Sequence, residues 1–376
     1  MSKKYSIFIT ALFCLFIFGF GIAFLILPDR DFSEQENRYL TQFEAPTLEN
    51  VFGENGEFMA DFEKYVNDQF PLRDSWIHLK AWSERLLGKQ ENNDVYFGGE
   101  GQQTLFAQYT PPSDMEQRVE YINQLGANVD VPVYFALIPD KSFVWADRLP
   151  DNAPLVDDGS TIRDAQALVS GDVNFIDLSD ALHGEDVFYR TDHHWTTLGA
   201  YYAYSALCET LGLAPFDLSA HQAVEVPDFY GTFYSRARTW NAQPDTLTYY
   251  DLDNALTIYT VTGPGMPAEG EVTGLYDLDK LAVYDKYAAF LHGNNGLSRI
   301  EGEGEGRILV VKDSYANCLV PFLTANYAAI DVVDLRNYNY GLDALIAENG
   351  YDQILVLYSF DSFKSDPYLY RAGIEG

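Results

Sequence analysis

The chain has 376 residues, of which 47% are apolar and 15% aromatic, so it can bury a large core and is not a disordered chain. Its formal net charge is −32, and no run of Lys and Arg offers a surface for phosphates. Nucleic acid is therefore not an expected partner, because affinity for it comes mainly from cationic side chains. The three cysteines include no C-x-x-C pair and give neither a disulfide framework nor a zinc motif.

The N-terminal region predicts one membrane crossing. Residues 5–27 carry no charge and would form a helix of roughly 34 Å, enough to span the hydrocarbon core. Lys3 and Lys4 precede this segment and acidic residues follow it, which places the N-terminus in the cytoplasm and the remainder outside. A cleaved signal peptide would have a shorter apolar stretch and an A-x-A-like site, neither of which is evident, although cleavage stays open as an alternative. We therefore expect residues 1–28 to be a cytoplasmic tip and retained signal anchor, in a single-pass protein of the cell membrane with an extracytoplasmic C-terminal domain.

Residues 29–110 are predicted to form a juxtamembrane linker, two helices and a hairpin. Apolar side chains recur at helical spacing within residues 56–90, and the proline in NDQFPLRDSW should start the second helix. Residues 92–106 contain a Gly-rich turn between apolar stretches, which is typical of a β-hairpin.

Residues 111–376 predict an α/β domain with a parallel sheet covered by helices on both faces, because strand and helix patterns alternate along them. The predicted helices span residues 115–126, 160–169, 196–211, 315–326 and 341–348. The predicted strands span residues 131–139, 174–177, 307–311, 329–335 and 353–359. Residues 216–300, with alternating strands such as 256–261, predict an irregular β-rich insertion.

The segment YRTDHHWTTLGAY contains the most informative cluster of polar side chains. Asp192 and His194 are two positions apart, so in an extended loop they project to the same side. A carboxylate that accepts from one imidazole nitrogen leaves the other nitrogen free to act as a base. A metal site, a structural hydrogen-bond cluster and a pH-sensitive loop are competing interpretations. Against the metal site, we expect the adjacent His193 and His194 to diverge, and the other histidines are scattered.

A second candidate lies in RILVVKDSYAN, where a buried strand should run into a helix. Ser314 on that turn would expose its hydroxyl at the C-terminal edge of the sheet, where the first N–H groups of the helix can stabilise an oxyanion. The alternative is that Ser314 only caps the helix. We expect Asp313 to contact the backbone or the helix dipole, Lys312 to be solvated and Cys318 to be a small buried residue.

Five further residues are candidates for binding an oxyanion or the substrate. In HGNNGL, Gly293 permits a close backbone approach and Asn295 can donate hydrogen bonds, although Asn-Gly equally marks a hairpin turn. Lys141 follows a predicted strand and either lines the cleft or forms a surface salt bridge. His193 and Asn317 complete this group.

The segments TDHHW (191–195) and VKDSYAN (311–317) together resemble the DHHW family of bacterial membrane-anchored proteins, which is related to the SGNH-like domains of the alginate O-acetyltransferase machinery. NDQFPLRDSW, VYFGG, GTFYSRA and DLRNY also look like family segments in the expected order. The resemblance implies an SGNH-hydrolase-like fold in which an Asp-x-His pair precedes the serine. It implies Ser314 as the nucleophile, His194 as the base and Asp192 as the group that orients the base.

The function that this resemblance implies is O-acyl transfer, most simply O-acetyl transfer, to an exopolysaccharide or cell-wall polymer. It also implies a multi-pass membrane acyltransferase as the supplier of the acyl group, and it requires no metal or organic cofactor. The sequence has no recognisable carbohydrate-binding module, so alginate itself is not implied as the substrate. Two alternatives stay open, an esterase with the same triad and a non-catalytic assembly protein of the cell envelope.

Overall fold

The chain folds into two compact units. The computed structural model describes residues 3–36, 38–53, 56–99, 103–154, 157–184 and 186–373. The smaller unit is Met1–Lys89 with Arg238–Trp240, and the larger is Gln90–Ala237 with Asn241–Gly376. All of the candidate site residues lie in the larger unit.

The smaller unit is mainly helical and begins with the apolar segment. Its elements are α1 (Lys3–Ile26), β1 (Phe32–Ser33), β2 (Arg38–Tyr39), α2 (Leu48–Phe52), α3 (Phe58–Gln69) and α4 (Arg73–Leu86). Helix α1 is long and apolar enough to cross a membrane and buries none of its residues, which suits a single-pass anchor or a signal sequence. The two helices predicted within residues 56–90 are confirmed as α3 and α4, and residues 28–50 contain the β1–β2 hairpin in addition to extended chain.

The larger unit begins with a small three-stranded sheet and continues into the α/β body. Its first elements are β3 (Glu91–Asn92), β4 (Val95–Phe97), β5 (Leu105–Ala107), α5 (Met115–Asn128), β6 (Val133–Ile138), α6 (Lys141–Val144), α7 (Asp158–Leu168), β7 (Val173–Asp177) and α8 (Thr197–Leu211). The next are β8 (Ala223–Phe229), α9 (Thr232–Ala237), β9 (Asp245–Tyr250), β10 (Ala255–Tyr259), β11 (Glu271–Gly274) and β12 (Leu297–Glu301). The last are β13 (Arg307–Lys312), β14 (Ala329–Val333), α10 (Asp343–Asn349), β15 (Gln353–Ser359) and α11 (Phe360–Phe363).

An eight-stranded mixed sheet forms the centre of this unit, in the order β11-β10-β12-β14-β13-β15-β6-β7. Strands β14, β13, β15, β6 and β7 are mutually parallel, which confirms the predicted parallel sheet. Successive residues of β13 point to opposite faces, so that Ile308 and Val310 enter one hydrophobic core while Leu309 and Val311 enter another. A sheet covered on both faces needs such continuous apolar strands.

Three antiparallel strands extend this sheet beyond β14. They are β10, β11 and β12, and they come from the region predicted to be an irregular β-rich insertion. That region is therefore part of the main sheet in addition to forming the separate β8–β9 hairpin. Antiparallel neighbours need no helical crossover, so the alternation of strands and helices that predicted the parallel part gives no signal for them.

The chain after β13 departs from the prediction. Residues 315–326 were expected to form a helix that continues from the turn, but two short 3₁₀ segments, Ser314–Cys318 and Val320–Ala325, lie there instead. Pro321 has no N–H group and cannot make the i→i−4 bond that a continuous α-helix requires. The predicted helix over 315–326 is thus wrong in type, although the strand-to-turn transition at Ser314 is present.

Candidate active site

The Asp192–His194 segment lies in a tight loop directly before α8. An isolated antiparallel bridge joins Phe188 to Trp195, and the Tyr189 N–H donates to the His194 carbonyl at 3.2 Å. Thr196 then caps α8, because its Oγ1 accepts from the Gly199 N–H at 3.1 Å. The loop is therefore closed by its own backbone and fixed to a buried helix.

The ring of His194 joins Asp192 to Ser314. Its Nδ1 lies 2.6 Å from Asp192 Oδ1, and its Nε2 lies 2.8 Å from Ser314 Oγ. Asp192 and His194 are 2% and 5% exposed, whereas Ser314 is partly exposed. Because a carboxylate can only accept, Nδ1 carries the ring proton and Nε2 directs its lone pair at the hydroxyl. The structure thus brings the three proposed triad residues together in the order that proton transfer from serine to histidine requires.

The carboxylate of Asp192 is fully satisfied by donors. Oδ1 accepts from the His194 backbone at 2.9 Å as well as from its ring, and Oδ2 accepts from Thr232 N at 2.7 Å and Thr232 Oγ1 at 3.1 Å. Burial alone would raise the pKa of Asp192. The neighbouring His193 and His194 rings and the hydrogen bonds from His194 outweigh it and hold that pKa well below its ordinary value. Asp192 is consequently an anion that can orient His194.

The two adjacent histidine rings lie against each other with their planes tilted by 37°, so the expectation that they diverge is wrong. Their centroids are 3.7 Å apart, and His193 Nδ1 lies 2.6 Å from Thr232 Oγ1. Both side chains are drawn toward the same carboxylate, with His193 Nδ1 3.5 Å from Asp192 Oδ1. Burial first, and then the neighbouring His194, lower the pKa of His193 to about 3, so His193 stays neutral.

The metal interpretation has a geometric basis in this cluster. Asp192, His193 and His194 offer ligand atoms within 4.8 Å of one another. Both ring nitrogens of His194 are already hydrogen-bonded, one to Asp192 and the other to Ser314. A metal ion bound through His194 would have to displace one of these partners, and the existing pairing therefore favours the triad.

Asp313 shapes the turn that presents Ser314. Its Oδ1 accepts from the Tyr315 N–H at 3.0 Å, while its Oδ2 accepts from the Ser359 N–H and hydroxyl at 2.9 and 2.6 Å. The predicted backbone contact of Asp313 is confirmed. Since Asp313 is the residue that caps this segment, the hydroxyl of Ser314 is free to face His194. The Tyr315 N–H is already used, so it is not available to stabilise an oxyanion.

Three aromatic residues that the sequence analysis did not assign to the site connect the two loops. Trp195 Nε1 donates to the Tyr315 carbonyl at 2.8 Å, and the Tyr315 hydroxyl donates to the His193 carbonyl. The ring of Tyr287 stacks on His194 at a centroid distance of 3.8 Å. Trp195 and Tyr315 belong to the motifs TDHHW and KDSYAN, so those motifs carried a signal for them, whereas Tyr287 has no recognisable local motif.

Lys312 is buried rather than solvated, which corrects the sequence-based expectation. It is 1% exposed, and its Nζ lies 3.2 Å from Asp334 Oδ2 and 3.1 Å from Asn294 Oδ1. Because a lysine can only donate, the atom of Asn294 that faces it must be the amide oxygen. Asn317 Nδ2 donates to the same oxygen at 3.1 Å and to Gly293 O at 3.3 Å.

The HGNN turn therefore lies beside the segment that follows Ser314. Gly293 and Asn317 contact each other directly, whereas Asn295 Nδ2 donates at 2.7 Å to Leu291 O within its own turn. The turn interpretation holds for Asn295. The neighbouring Asn294 is the asparagine whose orientation is fixed by the buried donors Lys312 and Asn317.

Lys141 is also buried, so it is not the partner of a surface salt bridge. Its Nζ donates to the carbonyls of Asp192 at 2.7 Å and Tyr189 at 2.9 Å, and it lies 4.7 Å from the centre of the Phe233 ring. Burial lowers the pKa of Lys141 to about 7. These hydrogen bonds show that Lys141 stabilises the backbone of the Asp192 loop.

Cys318 is a buried free thiol, which confirms the expectation of a small buried residue. Burial raises its pKa to about 12, so the thiol stays protonated and is a poor nucleophile. The Ser314 hydroxyl, by contrast, lies 2.8 Å from His194 Nε2.

Comparison with known proteins finds a family model that matches part of the chain. The model of the DHHW protein family matches residues 168–333, which include the Asp192 loop and the Ser314 turn. Residues 168–333 are a DHHW region. The resemblance that the motifs TDHHW and VKDSYAN predicted is confirmed.

Two solved structures share the fold of this chain. A DHHW family protein from Eubacterium siraeum matches with a TM-score of 0.61 and 23% identity over 74% of this chain and 97% of that one. Bacillus cereus PatB1, solved with a sulfonyl adduct, matches with a TM-score of 0.59 and 20% identity over 74% of this chain and 98% of that one. The α/β fold predicted for the larger unit, with a parallel sheet flanked by helices, is confirmed.

A relative in sequence is the probable alginate O-acetylase AlgJ of Azotobacter vinelandii. It is 24% identical over 179 residues, which cover 44% of this chain and 46% of that protein. The match thus spans about half the length of that relative.

Proposed function

We propose that this DHHW protein is a membrane-anchored, extracytoplasmic O-acyltransferase that acetylates a hydroxyl of an exopolysaccharide or cell-wall polymer. The observation that carries the proposal is the chain of contacts from Asp192 through His194 to Ser314, with distances of 2.6 and 2.8 Å. Relationship to an alginate O-acetylase supports O-acyl transfer over other uses of the same triad. The apolar helix α1 supports an anchored, extracytoplasmic location.

In the first half of the reaction, Ser314 Oγ attacks the carbonyl carbon of the acyl donor. His194 Nε2 takes the hydroxyl proton as the new C–O bond forms, and the anionic Asp192 stabilises the resulting imidazolium. When the tetrahedral intermediate collapses, the bond to the donor's leaving group breaks and His194 returns the proton to that group. Ser314 is then an acyl ester and His194 is again neutral.

In the second half, an acceptor hydroxyl takes the place of the leaving group. His194 removes the proton of the acceptor hydroxyl while the acceptor oxygen attacks the ester carbonyl. The proton then passes from His194 to Ser314 Oγ as the bond between the serine and the acyl group breaks. Water in place of the sugar hydroxyl would give hydrolysis by the same steps. The partial exposure of Ser314 allows an acceptor to reach it from solvent. A multi-pass membrane acyltransferase would supply the acyl group to the anchored domain.

Asn294 is the side chain we assign to the oxyanion in both halves, in place of Asn295. Lys312 and Asn317 both donate to its amide oxygen, so its amide nitrogen is turned away from them and remains a donor. Asn294 is exposed, and its turn is bonded to Asn317, three positions after Ser314. Removing such a donor typically lowers kcat by about 10²–10³-fold.

The test of the proposed function is the Ser314→Ala variant of the full-length protein in detergent micelles. We expect it to lose acetate release from a chromogenic acetyl ester by about three orders of magnitude or more, because no other nucleophile faces His194 among the described residues. Mass spectrometry of the wild-type protein after brief exposure to the donor should find an acetyl group on the peptide that contains Ser314.

Ser205→Ala is the matched control, since Ser205 is also partly exposed but donates only to the Tyr201 carbonyl within α8. It should keep wild-type activity. Full activity of Ser314→Ala would overturn the nucleophile assignment. Adding oligosaccharide to the wild-type reaction separates the two enzyme classes: acetylated sugar supports the transferase, and acetate release that no acceptor alters supports an esterase instead.

A further inference from the structure

Tyr287 lies against the free face of the His194 ring. The two ring centroids are 3.8 Å apart and the planes differ by only 11°, so the rings are stacked. His193 is centred 3.7 Å from the same imidazole. Two rings centred within 4 Å of one imidazole cannot share one of its faces, so His194 is held between Tyr287 and His193.

The hydroxyl of Tyr287 reaches the other half of the site. It lies 3.1 Å from the carbonyl oxygen of Ser314, 3.2 Å from that of Tyr315 and 3.3 Å from Cys318 Sγ. Burial raises the pKa of Tyr287 well above its ordinary value, so the hydroxyl stays protonated and acts as a donor. One side chain, 5% exposed, thus contacts both the proposed base and the backbone of the proposed nucleophile.

We propose that Tyr287 is a positioning residue for the acyl transfer proposed above, on which this inference rests. Its ring holds the His194 imidazole in the plane that joins Asp192 to Ser314, and it offers a π face to the imidazolium formed during the reaction. Its hydroxyl fixes the turn that carries Ser314. The proposed base and nucleophile come from distant segments of the chain. A third segment, which carries Tyr287, therefore keeps them aligned with each other.

Two substitutions separate the two contributions. Tyr287→Phe keeps the stacked ring and removes the hydroxyl, so kcat should fall about fivefold while the pH–rate profile stays in place. Tyr287→Leu also removes the π face, so kcat should fall about a hundredfold with little change in KM. Because the imidazolium is then less stabilised, the acidic limb of the profile should move to lower pH by about one unit.

The other titratable groups around His194 are unchanged in both variants. They are Asp192, His193, Lys141, Tyr315 and Cys318. A difference in the profile between the Phe and Leu variants can therefore be assigned to the ring of Tyr287. Tyr276→Leu is the matched control, because Tyr276 packs on Tyr249 and Phe290 in the same region. It should leave both kcat and the profile unchanged.

A readout that does not need catalysis keeps this inference distinct from the proposed function. In the NMR spectrum of the full-length protein, the stacked ring should shift the ring-proton signals of His194 upfield. That shift should persist in Tyr287→Phe and become clearly smaller in Tyr287→Leu, where only the His193 ring remains against His194. If Ser314→Ala keeps full activity but the shift behaves as expected, the triad is wrong while the stacking stands. If Ser314→Ala is inactive but both Tyr287 variants match the wild type in kcat and pH profile, the role of Tyr287 is refuted.

Discussion

Lys141→Met should change how the stability of the larger unit depends on pH. The wild-type lysine is 4% exposed, donates to two backbone carbonyls and lies over the ring of Phe233. Methionine keeps much of the aliphatic volume and removes the titratable group. The variant loses the hydrogen bonds to the Asp192 and Tyr189 carbonyls, which lowers its unfolding free energy by the same amount at every pH. The wild type instead has a cost of burying the lysine charge, and that cost depends on pH.

The pH window follows from the displaced pKa of Lys141. Burial lowers it from 10.5 to about 7, against the opposing attraction of Asp245 and Asp192. Below about pH 7 the lysine is charged in both the folded and the unfolded chain, so the burial cost is fully present. Between about pH 7 and 10.5 the unfolded chain binds more protons than the folded one, and the free energy of unfolding rises with pH by about 1.4 kcal/mol per unit. Between pH 7.5 and 9 the wild type should therefore gain about 2 kcal/mol relative to Lys141→Met.

Urea unfolding of the full-length protein in non-ionic detergent measures this difference. The buried Trp145 and Trp195 report on the larger unit through their fluorescence. The difference in unfolding free energy between wild type and variant should be flat below about pH 6.5 and then increase in favour of the wild type. Lys280→Met, which removes an exposed lysine of the same unit, should run parallel to the wild type. A Lys141 difference that stays constant from pH 6 to 9 would refute the reasoning, because it would mean that the buried lysine keeps its charge.

Two further substitutions test the Asp192 contacts. In Gly231→Ala, the added Cβ would lie 2.2 Å from Asp192 Oδ2, so the carboxylate must move. Ester turnover should therefore fall by roughly 10³-fold. Gly171→Ala is the control and should keep wild-type turnover, because nothing lies within 4 Å of its added Cβ. Asp192→Asn removes the charge that stabilises the imidazolium, so kcat should drop by roughly 10³–10⁴-fold while circular dichroism stays unchanged, and a loss of less than tenfold would show that the carboxylate does not orient the base.

The elements that the sequence predicts well are those whose signals are local. Residues 308–311 form a continuous branched apolar stretch, which is what a strand buried on both faces requires. Helix α8 starts after the Thr196 cap and ends at Gly212, whose φ is +70°, so both of its ends are encoded within a few residues. The contact between Asp192 and His194 is also encoded locally, because a two-residue offset in an extended loop brings the two side chains together without distant contacts.

The expectations that fail depend on tertiary environment. Lys312 looks like a solvated lysine in the sequence, and only the fold places Asp334 and the Asn294 amide around its ammonium group. The contact between the His193 and His194 rings likewise depends on a distant residue, because Thr232 and the shared carboxylate hold both side chains in place. Hydrogen-bond partners that lie far apart in the chain leave no periodicity from which they could be read.

Distant contacts also explain how the candidate site keeps the partly exposed Ser314 hydroxyl in a fixed position. The partly exposed Ser314 hydroxyl cannot hold its own geometry, because a single O–H on a short turn has no packing of its own. Asp313 fixes the turn from the sheet edge, Tyr287 fixes its carbonyl, and Trp195 reaches it from the histidine loop. Each support comes from a different chain segment and is itself buried. Substitutions at these supports should therefore lower turnover with little effect on how tightly the substrate binds, since they alter the alignment of the reacting atoms and leave the contacts of the acceptor intact.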